Sequence, residues 1–166
     1  MILFCDTSAL VKLYVREDGT DRVLREVEAA SIVAVCRIAW AETMAAFARR
    51  ARETNDLTQK SPPRGALPSR GRNTRGGPSR FEDAALIEEI RRRLHKDWED
   101  YAIVEITQPL VERAGDYADT FALRAYDSVQ LAAAATLQAA VGAPVRFACF
   151  DQRLQKAAKI LGLLPV

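Results

Sequence analysis

The sequence contains few of the cysteines and histidines from which disulfide frameworks, zinc sites and histidine-based catalysts are built. Its three cysteines, Cys5, Cys36 and Cys149, are odd in number and widely spaced in apolar surroundings, so we expect them to pack in the core. The single histidine, His95, lies in a basic run away from every acidic motif. Cleavage by histidine acid and base catalysis is therefore not expected.

Long apolar runs are also missing. No stretch approaches the roughly 20 residues that a membrane-spanning helix needs, and no basic region precedes the apolar residues that follow Met1. The 166 residues are enough for one sizeable core and too few for two ordinary domains. We therefore expect a single domain that works in the cytoplasm and has no membrane partner.

Acidic residues are absent from one segment. Residues 60–80 contain six of the 24 Lys and Arg residues, four of the seven prolines and four of the eight glycines, which leaves 18 basic and 22 acidic residues elsewhere. Such a composition buries too little apolar surface to offset the entropy lost on ordering. We predict a flexible basic insert at about residues 59–80, which is either a tolerated surface loop or an electrostatic arm for a nucleic-acid backbone.

Short apolar runs alternate with helical patterns along the rest of the chain. Strands are predicted at residues 2–5, 31–36, 102–106, 145–150 and 163–164. Between them lie helical patterns, including one that begins near Leu10 and one over residues 38–53. Near-continuous apolar strands separated by helices predict an α/β fold with a central parallel sheet between two helical layers, a three-layer α/β/α sandwich.

Four acidic residues stand at positions that such a fold could bring together. Asp6 and Asp151 each follow a predicted strand, where ligands of parallel sheets bind, although each is also placed to cap a helix. Glu42 points along the apolar face of its helix, where an unpaired carboxylate would be costly, unless it lies at the edge of that face and reaches solvent or pairs with Arg49. Asp127 opens another helix, where the helix dipole alone would explain an acid. Oxygen ligands from separate elements suit Mg²⁺ or Mn²⁺.

Several neighbours of these acids are candidates for supporting roles. The hydroxyls of Thr7, Ser8 and Ser128 could hold the carboxylates in place or could simply cap helices. Spacing also leaves open an approach to the site by Asp116 or Asp119 on the preceding helix.

Four short motifs, in this order, resemble those of the PIN domain family, in particular the VapC toxins of bacterial toxin–antitoxin pairs. They are residues 6–14 (DTSALVKLY), Ala41 with Glu42, residues 123–132 (LRAYDSVQLA) and residues 150–154 (FDQRL). The resemblance implies the three-layer fold and makes Asp6, Glu42, Asp127 and Asp151 the metal-binding acids. It also implies a ribonuclease that inhibits translation and growth and is silenced by a partner antitoxin. The insert at 59–80 departs from the compact helical connection that is usual there.

With no suitable histidine, we expect RNA cleavage by water that a divalent ion activates. Arg124 and Tyr126 could contact RNA or position Asp127, or could be an ordinary surface and core residue. The apolar side chains of Leu13, Tyr14 and Val15 could pair two subunits or receive a partner, and core packing explains them equally well. A homodimer is the expected assembly.

Three other functions stay open at this point. A catalytically silent PIN fold could bind RNA without cutting it. A haloacid-type phosphatase would also place an aspartate after the first strand, but it needs a second aspartate two residues later, where this chain has Ser8. A receiver-like module would use the acids and Mg²⁺ only to accept phosphate on Asp6.

Overall fold

The computed structural model describes residues 1–59 and 80–166, and the side chains of residues 1–52 and 84–166. Most of the predicted basic insert, residues 60–79, lies outside this range. Among the described residues, no helix combines the length and the apolar character needed to cross a membrane.

Five strands form one sheet in the described part of the chain. They are β1 (Ile2–Cys5), β2 (Ile32–Cys36), β3 (Ala102–Val104), β4 (Val145–Ala148) and β5 (Leu164–Pro165). The order is β3-β2-β1-β4-β5, and every neighbouring pair is parallel. The predicted parallel sheet is confirmed, with β1 at its centre. Strands β3 and β4 end two residues earlier than predicted, so the chain has left the sheet before Asp151.

Seven helices are described. They are α1 (Thr7–Leu10), α2 (Thr20–Ala29), α3 (Ala39–Gln59), α4 (Arg80–Asp97), α5 (Gln108–Phe121), α6 (Ala125–Val141) and α7 (Gln152–Ile160). Two differ from the prediction. Helix α1 is a single turn that continues as a 3₁₀ turn over Val11–Leu13; such turns are frequent at helix ends, and one of three residues is too short to be recognised from the apolar pattern. Helix α3 runs six residues past the predicted end at Glu53.

Alternate side chains of the strands pack into two separate hydrophobic cores. Leu3 and Cys5 of β1 face a cluster with residues of α1 to α4, whereas Phe4 faces a cluster with residues of α5, α6 and α7. This alternation is the normal consequence of the two-residue period of a strand. The predicted helical layers on both faces are therefore confirmed. All three cysteines are free and buried in these cores, as expected.

Candidate active site

The four predicted acids line one pocket at the carboxyl edge of the sheet. Asp6 follows β1, Asp151 precedes α7, and Glu42 and Asp127 lie in the first turns of α3 and α6. All four border a cavity of about 650 Å³. Parallel strands bring their carboxyl ends to a common edge, so residues far apart in sequence converge there. The alternative approach of Asp116 or Asp119 is not seen, because neither borders the cavity.

Asp6 is the most deeply buried of the four acids, with 5% of its surface exposed. Its Oδ1 accepts hydrogen bonds from Ser8 Oγ at 2.7 Å and from the backbone N–H of Ala9 at 3.1 Å. Burial raises the pKa of Asp6 to about 6, and the bonds from Ser8 and Ala9 lower it by less than burial raises it. Asp6 is thus both the cap of α1 and a wall of the pocket.

Glu42 is held by two partners from other elements. Its Oε2 accepts hydrogen bonds from Thr7 Oγ1 and, at 2.8 Å, from Nε2 of Gln130. The sequence reasoning missed Gln130, which lies three residues after Asp127 and is only 2% exposed. The available signal was a long polar side chain directly before the apolar stretch of residues 131–135 (LAAAA).

Burial and the charges of neighbouring residues shift the pKa of Asp127. Its pKa is raised first by burial and then by the negative charges of Asp151 and Glu42, whereas Arg124 and Arg153 act in the opposite direction. Asp151 is exposed, and its Oδ1 caps α7 by accepting the N–H of Leu154 at 2.8 Å. Asp127 is therefore near enough to Asp151 and Glu42 to be repelled by them, which favours a cation between these three acids.

The acids nevertheless do not form a closed cage. Within residues 1–52 and 84–166, no three His, Cys, Asp or Glu side chains approach closely enough to be a ready-made metal site. Mg²⁺ usually keeps several waters and takes only one or two carboxylates directly, so an open ring of acids around a wide cavity fits a hydrated ion. Asp6, Glu42, Asp127 and Asp151 are the residues that could hold it, partly through water.

Comparison with known proteins identifies the family. The family model described as "PIN domain" matches residues 3–160. The chain belongs to the PIN domain family. Two curated relatives from Mycobacterium tuberculosis are each 30% identical and match 97% of this chain and 92% of their own length: Ribonuclease VapC45 from strain CDC 1551 / Oshkosh and Ribonuclease VapC49 from strain ATCC 25618 / H37Rv. The predicted resemblance to VapC-type PIN domains is confirmed.

Two solved structures share the fold of this PIN domain. A toxin–antitoxin complex from Klebsiella pneumoniae aligns with a TM-score of 0.53 at 16% identity, over 90% of this chain and 86% of that one. A structure of FitAB bound to an IR36 DNA fragment aligns with a TM-score of 0.59 at 17% identity, over 100% and 94% respectively.

Positive charge flanks the acids of this PIN domain on two sides. Lys12, Arg49, Arg50 and Arg124 border the acid pocket. An adjoining cavity of about 600 Å³ shares Arg124, Asp127 and Asp151 with that pocket. It is further lined by Arg153 and Lys156. The two cavities therefore meet at these acids, and each is lined by basic side chains of its own.

Two of these cations, Lys12 and Arg50, contact the same acid. Glu17 bonds Lys12 Nζ at 2.9 Å and lies 3.7 Å from Arg50 Nη1. The Lys12 ammonium also lies 4.4 Å from the ring centroid of Phe150. These contacts fix Lys12 at the pocket wall, where its side chain is largely buried.

The other predicted residues differ in whether their side chains bond a carboxylate of the site. Arg124 and Tyr126 are exposed, Tyr126 by 58%, and both border the pocket. Thr7 and Ser8 bond carboxylates as predicted. Ser128 does not: its hydroxyl donates to the carbonyl of Ala125 at 2.8 Å, because a serine in a helix reaches its own preceding turn readily.

The apolar residues after α1 belong mainly to the core. Tyr14 is buried, with its hydroxyl 2.7 Å from that of Tyr101, and Leu13 and Val15 pack against the same cluster. Core packing, one of the two explanations left open by the sequence, accounts for them.

Proposed function

We propose that this PIN domain is a Mg²⁺- or Mn²⁺-dependent endoribonuclease and the toxin of a toxin–antitoxin pair. The observation that carries the proposal is the convergence of four carboxylates from distant parts of the chain in one pocket flanked by basic residues. The curated relatives named ribonucleases, each matching 97% of this chain, support the activity. A phosphatase of the haloacid type is not favoured, because the chain is a PIN domain and Ser8 donates to Asp6 instead of supplying a second carboxylate.

In this mechanism the chain supplies binding, orientation and charge. Asp6, Glu42, Asp127 and Asp151 would hold the cation, which when bound would supply a water of lowered pKa and neutralise charge on the phosphate. Ser8 and Thr7 hold the carboxylates of Asp6 and Glu42 by hydrogen bonds. Catalysis by preorganised charge of this kind needs no histidine.

The RNA strand is proposed to follow the two adjoining cavities. Arg124 and Tyr126, which border the acid pocket, contact the nucleotides next to the cut. Basic side chains on either side bind phosphates that are not cleaved, and these are Lys12, Arg49, Arg50, Arg153 and Lys156. Because such contacts release counterions, RNA affinity should fall steeply with salt.

We further propose that the protein acts in the cytoplasm, assembles as a homodimer and is silenced by a cognate antitoxin. The toxin–antitoxin complex among the solved structures of this fold is consistent with such a partner. The basic insert at 59–80 is a proposed contact for RNA or for that partner.

Two experiments test the proposal. Purified protein is incubated with RNA and Mg²⁺ or Mn²⁺, and cut ends are mapped. Cleavage that chelation by EDTA abolishes and re-addition of the ion restores is expected. RNA that stays intact with both ions would contradict the enzyme and favour a silent RNA-binding fold. In cells, expression should arrest growth, and co-expression of the neighbouring small open reading frame should relieve the arrest.

A further inference from the structure

Gln130 reaches from α6 across the pocket wall to two residues of the site. Its Nε2 donates to Thr7 Oγ1 at 2.9 Å and to Glu42 Oε2 at 2.8 Å, and Thr7 donates in turn to the same Glu42 oxygen. Glu42 Oε2 therefore accepts from both the Gln130 amide and the Thr7 hydroxyl. A carboxylate only accepts, so the amide must turn its nitrogen toward Glu42. The orientation of Gln130 is set by the acid it holds.

The other end of this amide has no partner. Oε1 of Gln130 is buried and accepts no hydrogen bond from any part of the chain that the structure describes. A buried acceptor without a donor costs stability, and an apolar side chain of the same length would avoid that cost. Folding alone therefore does not explain a glutamine here.

Gln138, two turns further along the same helix, shows what a structural glutamine does. Its Nε2 donates to the carbonyl of Leu161 at 3.2 Å, and its Oε1 accepts the N–H of Val145 at 3.0 Å. Both ends of that amide are used to join β4 and the end of α7 to the helix. Gln138 does not border the acid pocket.

We propose that Gln130 is a positioning residue that acts through Glu42. By occupying Oε2 together with Thr7, it fixes the carboxylate and leaves Oε1 of Glu42 as the oxygen that serves a divalent cation in the pocket. The inference rests on the proposed function, since it assigns Gln130 to cation binding at the same site.

The test measures Mn²⁺ affinity by calorimetry without RNA, up to millimolar ion, together with the melting temperature. Gln130→Met keeps the length of the side chain and removes both the donor and the unpartnered acceptor. We expect Mn²⁺ to bind about 10-fold or more weakly, as is usual when a group that orients a ligand is lost. The melting temperature should stay the same or rise. The matched control, Gln138→Met, should lower the melting temperature and leave Mn²⁺ affinity unchanged.

A double-mutant cycle separates action through Glu42 from a general effect. In Glu42→Gln, where three acids remain, adding Gln130→Met should weaken Mn²⁺ binding no further. Wild-type affinity in Gln130→Met would overturn the inference, and so would an equal loss in both backgrounds. If wild-type protein takes up no Mn²⁺ at all, the proposed metal-dependent function and this inference both fail. The measurement on wild-type protein therefore distinguishes that outcome from a failure of the inference alone.

Discussion

The two halves of α6 have different roles in the molecule. Its first turns border the acid pocket with Asp127 and Gln130, whereas Ala132, Ala133 and Ala134 are fully buried against the sheet. In the second half, polar groups such as those of Gln138 have partners at both ends. In the first half, an acid has a raised pKa and an amide oxygen has no partner within the described part of the chain. Polar groups that lack hydrogen-bond partners and acids with shifted pKa values, when they lie together, are typical of a functional site. The polar groups of a core are paired instead.

The largest effect should come from removing an acid of the pocket. Asp127→Asn should lower RNA cleavage by at least about 100-fold, since charge stabilisation by a bound cation contributes several kcal/mol. The melting temperature should not fall, because the repulsion from Asp151 and Glu42 is relieved. Cleavage rates and thermal unfolding of the purified variant measure both effects.

Asp116→Asn is the matched control for that change. Asp116 is an exposed acid on α5 that does not border the pocket, so its loss should leave cleavage unchanged. Full activity of Asp127→Asn would remove that residue from the site.

Next in size is the stability cost of the buried acid. The pKa of Asp6 is raised from its usual 3.8 to about 6, so the folded state binds the proton more tightly than the unfolded state does. Ionisation therefore reduces stability as pH rises from about 4 to about 6, and the full cost is present above that range. Asp6→Asn should be more stable than wild type at pH 8, by on the order of 3 kcal/mol, and the difference should vanish near pH 4.

Urea unfolding at both pH values without added metal measures this difference. Asp21→Asn, which changes an exposed acid paired with Arg16, should show no comparable gain. A stability gain for Asp6→Asn that is the same at pH 4 and pH 8 would contradict the assignment of the cost to the buried charge.

A change among the buried alanines of α6 should lower stability and leave RNA cleavage intact. Ala133→Leu inserts a larger side chain at a fully buried position, which should cost about 1–3 kcal/mol of stability. Cleavage measured well below the melting temperature should be near that of wild type, because the pocket is not touched. A loss of cleavage without a loss of stability would show that the two halves are not independent.

The smallest expected effect concerns Glu17 at the basic flank of the pocket. Because the ion pairs of a solvent-exposed acid such as Glu17 contribute about 0–1 kcal/mol, Glu17→Gln should raise RNA affinity only a few-fold by leaving Lys12 and Arg50 with one anion fewer. Binding is measured with Ca²⁺ in place of Mg²⁺ at low salt. Asp21→Asn removes the same charge outside the pocket and should change affinity less. Equal effects of the two variants would point to net charge alone.

The fold and the convergence of the acids were predictable because both follow from local patterns. Apolar runs separated by helical periods indicate a parallel sheet. Asp6 follows β1 directly, and Asp151 lies three residues after β4. The roles of the acids stay predictions. The bonds of Gln130 could not be predicted, because they depend on how closely α6 approaches α1 and α3. The Ser128 hydroxyl could equally have bonded a carboxylate or its own helix, and only the structure shows that it bonds Ala125. Nor does sequence spacing give the distances that leave the ring of acids open.

The position of β1 at the centre of the sheet has a consequence for how the protein is made. Ile2 pairs with Ile32 on one side and with Val145 on the other, so the sheet closes only through contacts between the two extremes of the chain. Such high contact order slows folding. A nascent chain still on the ribosome before β4 has emerged cannot bring Asp151 to Asp6. The complete set of acids therefore comes together late, after nearly all of these residues have been translated.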